Sequence, residues 1–423
     1  MIATSVVLLV TLLLGVPVAF SIALAAIAYF IVAGANFLVL PQQFIGQLSG
    51  MPLVAIPFFI LAGELMTSGG VTKRIFDFAL SIVGRVPGSL GHANVVGNMI
   101  FAGMSGSAVA DMASLGKLIF KTMRGHGYPE DISMGVTASA ATLGPIIPPS
   151  INMVIYGSMA NIPIGLLFLG GVGPGILCGL LLMLTFAILF RVRRIRTRRI
   201  EPVAFWPALR HAWWAILTPF VLLGAMFGGV ATPTEAAVLA AVYAGAVSSL
   251  IYRELTLAKF VEALISTAVL SGAVLLIIAF SAPLGYVIAR EQIANGLASF
   301  LFANFANPTV VMFVLAGLLL VLGCFLEVAT ALILLAPLLA PSLAALGLSP
   351  VLTGVFIVFG MGIGLVTPPV GMCLYVGSQI STMKLERVAA ATAPFLLPLG
   401  AVLVLMILFP AIVTWLPGVV YGR

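Results

Sequence analysis

Gly144-Pro-Ile-Ile-Pro148-Pro149, with Gly157-Ser158 behind it, returns 220 residues later as Gly364-Leu-Val-Thr-Pro368-Pro369, with Gly377-Ser378 behind it. At the same offset Gly103, in Gly103-Met-Ser-Gly-Ser-Ala, meets Gly323, in Gly323-Cys-Phe-Leu-Glu. A proline pair removes backbone donors and blocks continuation of a helix. Each copy is therefore expected to break a membrane helix, which is tolerated only where the freed backbone is buried in protein or lines a cavity. Gly-Pro interruptions at matching places in two halves of an apolar chain are the sequence sign of a secondary transporter's binding site.

The rest of the chain has the composition of a membrane protein. Of 423 residues, 62% are hydrophobic and 7% charged; the mean hydropathy is +1.25. The first charge is Glu64, and residues 132–190 and 328–383 contain no Asp, Glu, Lys or Arg. A span needs about 20 apolar residues, so an all-α polytopic membrane protein with ten or more crossings is expected, without a sizeable soluble domain. No basic n-region precedes the first apolar run, so no cleaved signal peptide is expected. The net charge of +7 is concentrated in Arg191-Val-Arg-Arg-Ile-Arg-Thr-Arg-Arg199. Directly after an apolar segment, that run marks the cytoplasmic face and suits anionic membrane lipids, not nucleic acid. Cys178, Cys324 and Cys373 lie in apolar stretches without paired spacing and read as packing residues.

Fixing the basic linker 191–212 as cytoplasmic and propagating outwards divides the chain into repeats 1–190 and 213–423. In the second, Trp213–Val230 leaves, Glu235–Tyr252 returns, and Leu264–Tyr286 leaves again. An amphipathic arm, 290–302, then lies outside, followed by a re-entrant hairpin, 309–346, that turns near Glu327–Thr330. A broken helix, 351–380, and a last helix from about Ala390 to Trp415 complete it, with a periplasmic C-terminus. In the first half the arm 72–85 lies inside, the hairpin 89–122 turns near Ser105–Ser107, and the broken helix spans 132–160. Gly165–Phe190 then descends to the arginines. Met1–Ala33 reads as one tilted helix or two short ones divided at Pro17. Every charged cluster then obeys the positive-inside rule, and an inverted-topology repeat is the simplest reading.

Four motifs carry a family resemblance: Gly103-Met-Ser-Gly-Ser-Ala-Val-Ala-Asp111, Gly144-Pro-Ile-Ile-Pro-Pro-Ser150, Gly229-Val-Ala-Thr-Pro-Thr-Glu-Ala-Ala237 and Gly364-Leu-Val-Thr-Pro-Pro-Val-Gly371. Together they resemble the large membrane subunit of tripartite ATP-independent periplasmic transporters, over essentially the whole chain. The resemblance implies a transporter of the bacterial inner membrane that imports organic acids such as carboxylates on a sodium gradient. It implies two partners, a periplasmic solute-binding protein and a small membrane subunit of four helices, the latter expected as a separate chain. It also implies an elevator mechanism, in which hairpins and broken helices move against a scaffold and the amphipathic segments are the connecting arms.

Elementary chemistry points to the same residues. Half-helix N-termini carry partial positive charge that suits a carboxylate; C-termini and unwound carbonyls suit sodium. Gly103, Gly106, Gly144 and Gly371 let backbone approach an ion, and Ser105, Thr142, Glu327, Thr330 and Thr367 add hard oxygens. Substrate contacts are expected from Ser105, Ser107, Ser150, Asn152, Thr330, Pro368 and Pro369. No chain of buried acids and histidines of the proton-relay kind is present, which favours sodium over protons. Plainer readings stand beside these. Intramembrane hydroxyls often bond only their own backbone. Ser107 also suits a helix cap, and Thr232-Pro-Thr-Glu235 reads as a capping box. Asp111 either lines the site or pairs with Lys117 or a water.

Other functions fit less well. A non-transporting assembly module has no use for unwound backbone at the midplane. Hairpins from opposite faces serve alternating access better than a channel, and the scattered histidines do not suit haem. The main rival is a sodium–carboxylate symporter that works without a binding protein. Ser105→Ala or Ser107→Ala is expected to weaken sodium-dependent uptake without loss of folded protein.

Overall fold

Glycine and proline set the ends of nearly every helix. In the computed structural model, which describes residues 2–49, 51–198, 203–305 and 307–422, the N-terminal run is two helices, α1 (Ile2–Leu13) and α2 (Val18–Val32), parted at Gly15 and Pro17. Then come α3 (Val39–Leu48), a 3₁₀ turn and α4 (Ala55–Ser68). A bend of 75° leads into α5 (Val71–Val83). The chain continues through α6 (Ser89–Ser105) and α7 (Ala108–Asp111), which passes through a π-helical turn into α8 (Lys117–Gly125). Then follow α9 (Glu130–Ala141), α10 (Ile151–Ala160) and the long α11 (Ile164–Val192).

After the linker the order is α12 (Phe205–Phe227), α13 (Pro233–Ala246, extended by a π-helical turn to Ile251), α14 (Leu257–Arg290) and α15 (Ile293–Asn304). The last six are α16 (Pro308–Phe325), α17 (Val328–Ala345), α18 (Pro350–Gly364), α19 (Met372–Ser381), α20 (Leu385–Leu408) and α21 (Ala411–Tyr421). Among the described residues seven helices are long and apolar enough to cross a membrane, or eight if α4 and α5 count as one bent span, against the ten or more crossings expected, because the halves of the broken helices are each too short to span alone. No strand occurs among the described residues.

Shifting α6 to α10 by 220 residues lands each within three residues of the corresponding bounds of α16 to α19, with α7 and α8 together matching α17. The repeat seen in a few motifs thus extends to the order and length of the helices.

Several boundaries differ from the sequence expectation. The linker is shorter than 191–212, because α11 runs on to Val192 and α12 starts at Phe205. Phe205 packs on Phe78 of α5 as a tilted ring pair with centroids 5.8 Å apart, which holds the start of α12 on the protein. Residues 199–202, including Arg199, lie outside the described residues, as does the side chain at position 302 that closes the second arm. Where one span from Leu264 to Tyr286 was expected, α14 extends at both ends, its start capped by Thr256 accepting from Lys259 N. Where a continuous last helix was expected, the chain breaks at Phe409-Pro410. Pro410 has no N–H and pushes Phe409 out of the helical region, to φ −129° and ψ 73°. The short α3 has no counterpart in the sequence reading.

Packing sorts the helices into two blocks. α4 lies on α13 and α14; α14 also packs on α2 and α3, and α12 on α13. The second block holds α6 to α11 and α16 to α21, with α9 against α20, α11 against α20 and α21, and α16 against α18. At its centre α18 is buried from Leu352 to Gly364, as a helix apolar all round should be. Small residues let these backbones meet closely. A Cβ on Gly135 of α9 would lie 2.1 Å from the carbonyl oxygen of Ala391 in α20. Such approach is how membrane helices gain packing where burial from lipid contributes little. The helix α5 touches both blocks, through α12 and α6, whereas α15 lies on α17 and the end of α14.

Candidate functional site

The turn between α6 and α7 packs into the break between α9 and α10. The helix α6 ends at Ser105, and Gly106 adopts φ 63°, where only glycine is free of strain. Ser107 then caps α7, its Oγ accepting from Ala110 N at 3.4 Å. A Cβ on Gly106 would lie 2.9 Å from Ile151 N and 3.0 Å from Pro149 O; one on Gly103 would lie 3.4 Å from Pro148 O. The break is held from the other side by Ser150, which donates to Pro145 O at 2.5 Å and accepts from Met153 N at 3.2 Å, capping α10. Asn152 is buried in the first turn of α10.

Asp111 is the residue that links these pieces. Its side chain is fully buried. Ser105 Oγ donates to Asp111 Oδ1, and Ser107 N donates to Ser105 Oγ at 3.3 Å. The second carboxylate oxygen, Oδ2, is buried without a hydrogen-bond donor. It lies against Gly144, where a Cβ would come within 2.6 Å of it. Of the two sequence readings, the structure excludes Lys117 as the partner: the described ion pairs are Arg74–Glu254 and Arg193–Asp131. The signal was present in the sequence, since an acid in the membrane is costly without a role.

The second turn meets its own break in the same way but more openly. A Cβ on Gly323 would lie 2.9 Å from Gly364 Cα, and Gly371 N donates to Cys324 O at 3.0 Å. Glu327 caps α17, accepting from Thr330 N at 3.0 Å, and its side chain is exposed. Thr330 is buried. The hydroxyls of Thr367 and Thr142 donate to their own helices, at Ile363 O (2.9 Å) and Ser139 O (2.6 Å). A hydroxyl that donates its proton still offers lone pairs to a cation.

The structure thus gathers Gly103, Ser105, Gly106, Ser107 and Gly144 around Asp111, with Ser150 beside them. It gathers Gly371 with Gly323 and Gly364 in a second group. The groups abut: a Cβ on Gly362 would lie 3.9 Å from Pro145, and one on Gly377 would lie 3.2 Å from Met112 Cε. The half-helices exchange partners, α10 packing on α17 and α19 on α7 and its π turn.

Two contacts with the first block were not legible in the sequence. A Cβ on Gly63 of α4 would lie 3.2 Å from Met104 O, and one on Gly103 would lie 3.3 Å from Pro219 of α12. The first turn therefore rests on α4 and α12. The breaks are also covered unequally. Pro148, Pro149 and Ser150 are buried, whereas Pro368, Pro369 and Val370 are exposed. Ile155 is 0% exposed; Tyr375, its counterpart at the repeat offset, is 56% exposed.

Comparison with known proteins places this geometry. Residues 5–412 match the family described as the DctM component of tripartite ATP-independent periplasmic transporters. The chain is 39% identical to the sialic acid TRAP transporter large permease protein SiaM of Vibrio cholerae, over 96% of each chain. It is 34% identical to the C4-dicarboxylate TRAP transporter large permease protein DctM of the same species, over 97% of this chain and 96% of that one. Among solved structures, the Alcanivorax borkumensis YdaH transporter has a similar fold, with a TM-score of 0.63, 16% identity and coverage of 91% and 88%.

Proposed function

Since this chain belongs to the DctM family of tripartite ATP-independent periplasmic transporters, we propose that it imports an organic acid on a sodium gradient, from a periplasmic binding protein, by an elevator motion of its second block. Its membrane is the bacterial inner membrane, with the linker in the cytoplasm and the C-terminus in the periplasm. A small membrane subunit completes the assembly, and lipids surround both. The named relatives carry sialic acid and C4-dicarboxylates, and a carboxylate is the substrate class that unwound half-helices suit.

The observation that carries this reading is the buried Asp111 carboxylate, with one oxygen held by Ser105 and the other free against the break at Gly144. A free carboxylate oxygen, a hydroxyl and turn carbonyls form a hard-oxygen donor set of the sodium type. The first sodium is assigned to Gly103, Ser105, Gly106, Thr142 and Gly144, with Asp111 added. The second is assigned to Glu327, Thr330, Thr367 and Gly371. The substrate lies between them, reached by Ser105, Ser107, Ser150, Asn152, Thr330, Pro368 and Pro369. The division into two blocks and the unequal cover of the two breaks support alternating access, because one break is covered while the other is open.

Uptake into proteoliposomes tests the proposal. The vesicles hold this chain with its small subunit, an inward sodium gradient, and binding protein loaded with a labelled carboxylate. Accumulation that needs both sodium and the binding protein is expected. Sodium-driven uptake that ignores the binding protein would establish the free-standing symporter instead. No uptake from verified folded protein would leave the assembly module.

A further inference from the structure

The two arms join the first block very differently. At the α4–α5 elbow the backbone is enclosed by the α13–α14 connection. A Cβ on Gly69 would lie 2.1 Å from Ser248 Oγ, and one on Gly70, at φ 75°, would lie 1.8 Å from Glu254 Oε2. Two of the carbonyls that end α4 accept from side chains of this connection: Ser248 Oγ donates to Leu65 O at 2.9 Å and Lys259 Nζ to Ser68 O at 3.4 Å. Arg74 ties the first turn of α5 to the same connection. It donates to Gly70 O at 2.7 Å, pairs with Glu254 at 2.6 Å, and stacks over Tyr252 at 4.0 Å from the ring centroid. Tyr252 is itself fixed, its hydroxyl donating to His211 O at 2.9 Å and accepting from Ala215 N at 3.2 Å. A half-buried charge pair reinforced by a ring and by backbone bonds resists opening far better than a lone surface pair.

Among the described residues the α14–α15 elbow has one polar tie to the first block, a hydrogen bond from Tyr29 Oη to Glu291 Oε1, beside the apolar packing of Tyr286 and Val287 one turn earlier on Tyr29 and Phe30. Gln292 stands at φ 54°, and Gln292 Nε2 donates to Ala289 O at 3.0 Å within the elbow itself. The helix α15 is held instead to the second block, where Ser342 Oγ donates to Ala294 O at 2.9 Å. The arms differ likewise in burial: α5 buries Val71, Ile75, Phe76, Phe78, Ala79 and Leu80, whereas Ala298 is the buried apolar residue of α15 among those described.

We infer that Arg74, Glu254 and Tyr252 are positioning residues that pin the first elbow as the fixed pivot of transport, and that the second elbow is the hinge, at which the Tyr29–Glu291 contact breaks as α15 travels with the second block. Hinges absorb rotation at element ends with few ties, and pivots keep theirs. The inference rests on the elevator reading.

Cross-linking in the reconstituted assembly tests it, using reducible bis-methanethiosulfonates on cysteine pairs. Linking Arg74→Cys to Glu254→Cys, or Ser68→Cys to Lys259→Cys with the ion pair intact, is expected to leave uptake in place. Linking Tyr29→Cys to Glu291→Cys is expected to abolish uptake until reductant is added. Loss of uptake on linking both pairs at the first elbow, or uptake that survives linking the second, overturns the assignment. A further pair spans the two blocks where Gln47 Nε2 meets Met159 Sδ at 3.9 Å. If linking Gln47→Cys to Met159→Cys leaves uptake intact, the block motion fails and the pivot with it. If that link stops uptake while the elbow pairs misbehave, the pivot alone fails. Glu254→Ala should lower the maximal uptake rate per folded transporter with unchanged half-saturation by sodium, a loss that remains after normalisation to folded protein and that general destabilisation would not give.

Discussion

Asp111 shows how far a single residue can be read. It was visible in the sequence as a membrane acid, but its partner was not. Ser105 lies six positions earlier, across a turn whose geometry depends on Gly106 at φ 63°, and Lys117 or a water stood as the alternative partner. The plain reading of several hydroxyls also stands: Ser107 and Ser150 cap helices, and Thr142 and Thr367 bond their own helices. Capping and cation binding are compatible, so substitutions distinguish them by sodium dependence. Asp111→Asn keeps the shape and removes the charge. It is expected to raise the sodium concentration for half-maximal uptake by about tenfold or more, since hydrogen bonds and contacts to a charged group contribute roughly 1.5–3 kcal/mol. Ser105→Ala, which removes the donor that orients the carboxylate, should shift it in the same direction and by less. Sodium titrations of uptake read both, and an unchanged half-saturation in Asp111→Asn would remove the carboxylate from the ion site.

At the scale of the element, prolines made the breaks and turns legible because their effect is local. The missing N–H at Pro148 and Pro368 acts whatever surrounds it. The capping box at Thr232 was equally legible: Glu235 N donates to Thr232 Oγ1 at 3.3 Å, and Thr232 N to Glu235 Oε2 at 2.8 Å. Thr232→Ala should therefore destabilise α13 by about 1 kcal/mol. The start of α12 was not legible, because Phe205 is placed by Phe78, more than a hundred residues away. The α9–α20 crossing was hidden for the same reason. Gly135 looks like any helical glycine until Ala391 is brought against it. Gly135→Ala, favourable for an isolated helix, should here cost about 1–3 kcal/mol by overpacking, because the obstructing atom is backbone and cannot rotate away. Thermal unfolding in detergent should show a lower midpoint for both variants. A raised midpoint in Gly135→Ala would mean that α9 and α20 sit further apart.

For the whole molecule, the repeat is more informative where its copies disagree. Helices α10 and α19 share length, position and a preceding Pro-Pro break, so their local physics is alike. Their surroundings differ: Asn152 and Ile155 are buried, while Met372 and Tyr375 are exposed. No sequence pattern could have revealed this, because it follows from how one block sits on the other. The open face of α19 carries Met372, Tyr375 and Gln379, spaced to share one side of the helix. A glutamine there suits water better than hydrocarbon, so that face is expected to line an aqueous path on the linker side. A membrane-impermeant thiol reagent added from the linker side should therefore label Tyr375→Cys and spare Ile155→Cys. Background labelling should be low, since Cys178, Cys324 and Cys373 are buried. If the second block moves as an elevator, conditions that drive it to the opposite end should exchange the pattern, protecting position 375 and exposing position 155 to reagent from the other side. Labelling at 375 that stays constant under a sodium gradient with loaded binding protein would make that face a static crevice. The unequal cover of the two breaks would then describe a permanent asymmetry of the fold, not one half of a cycle.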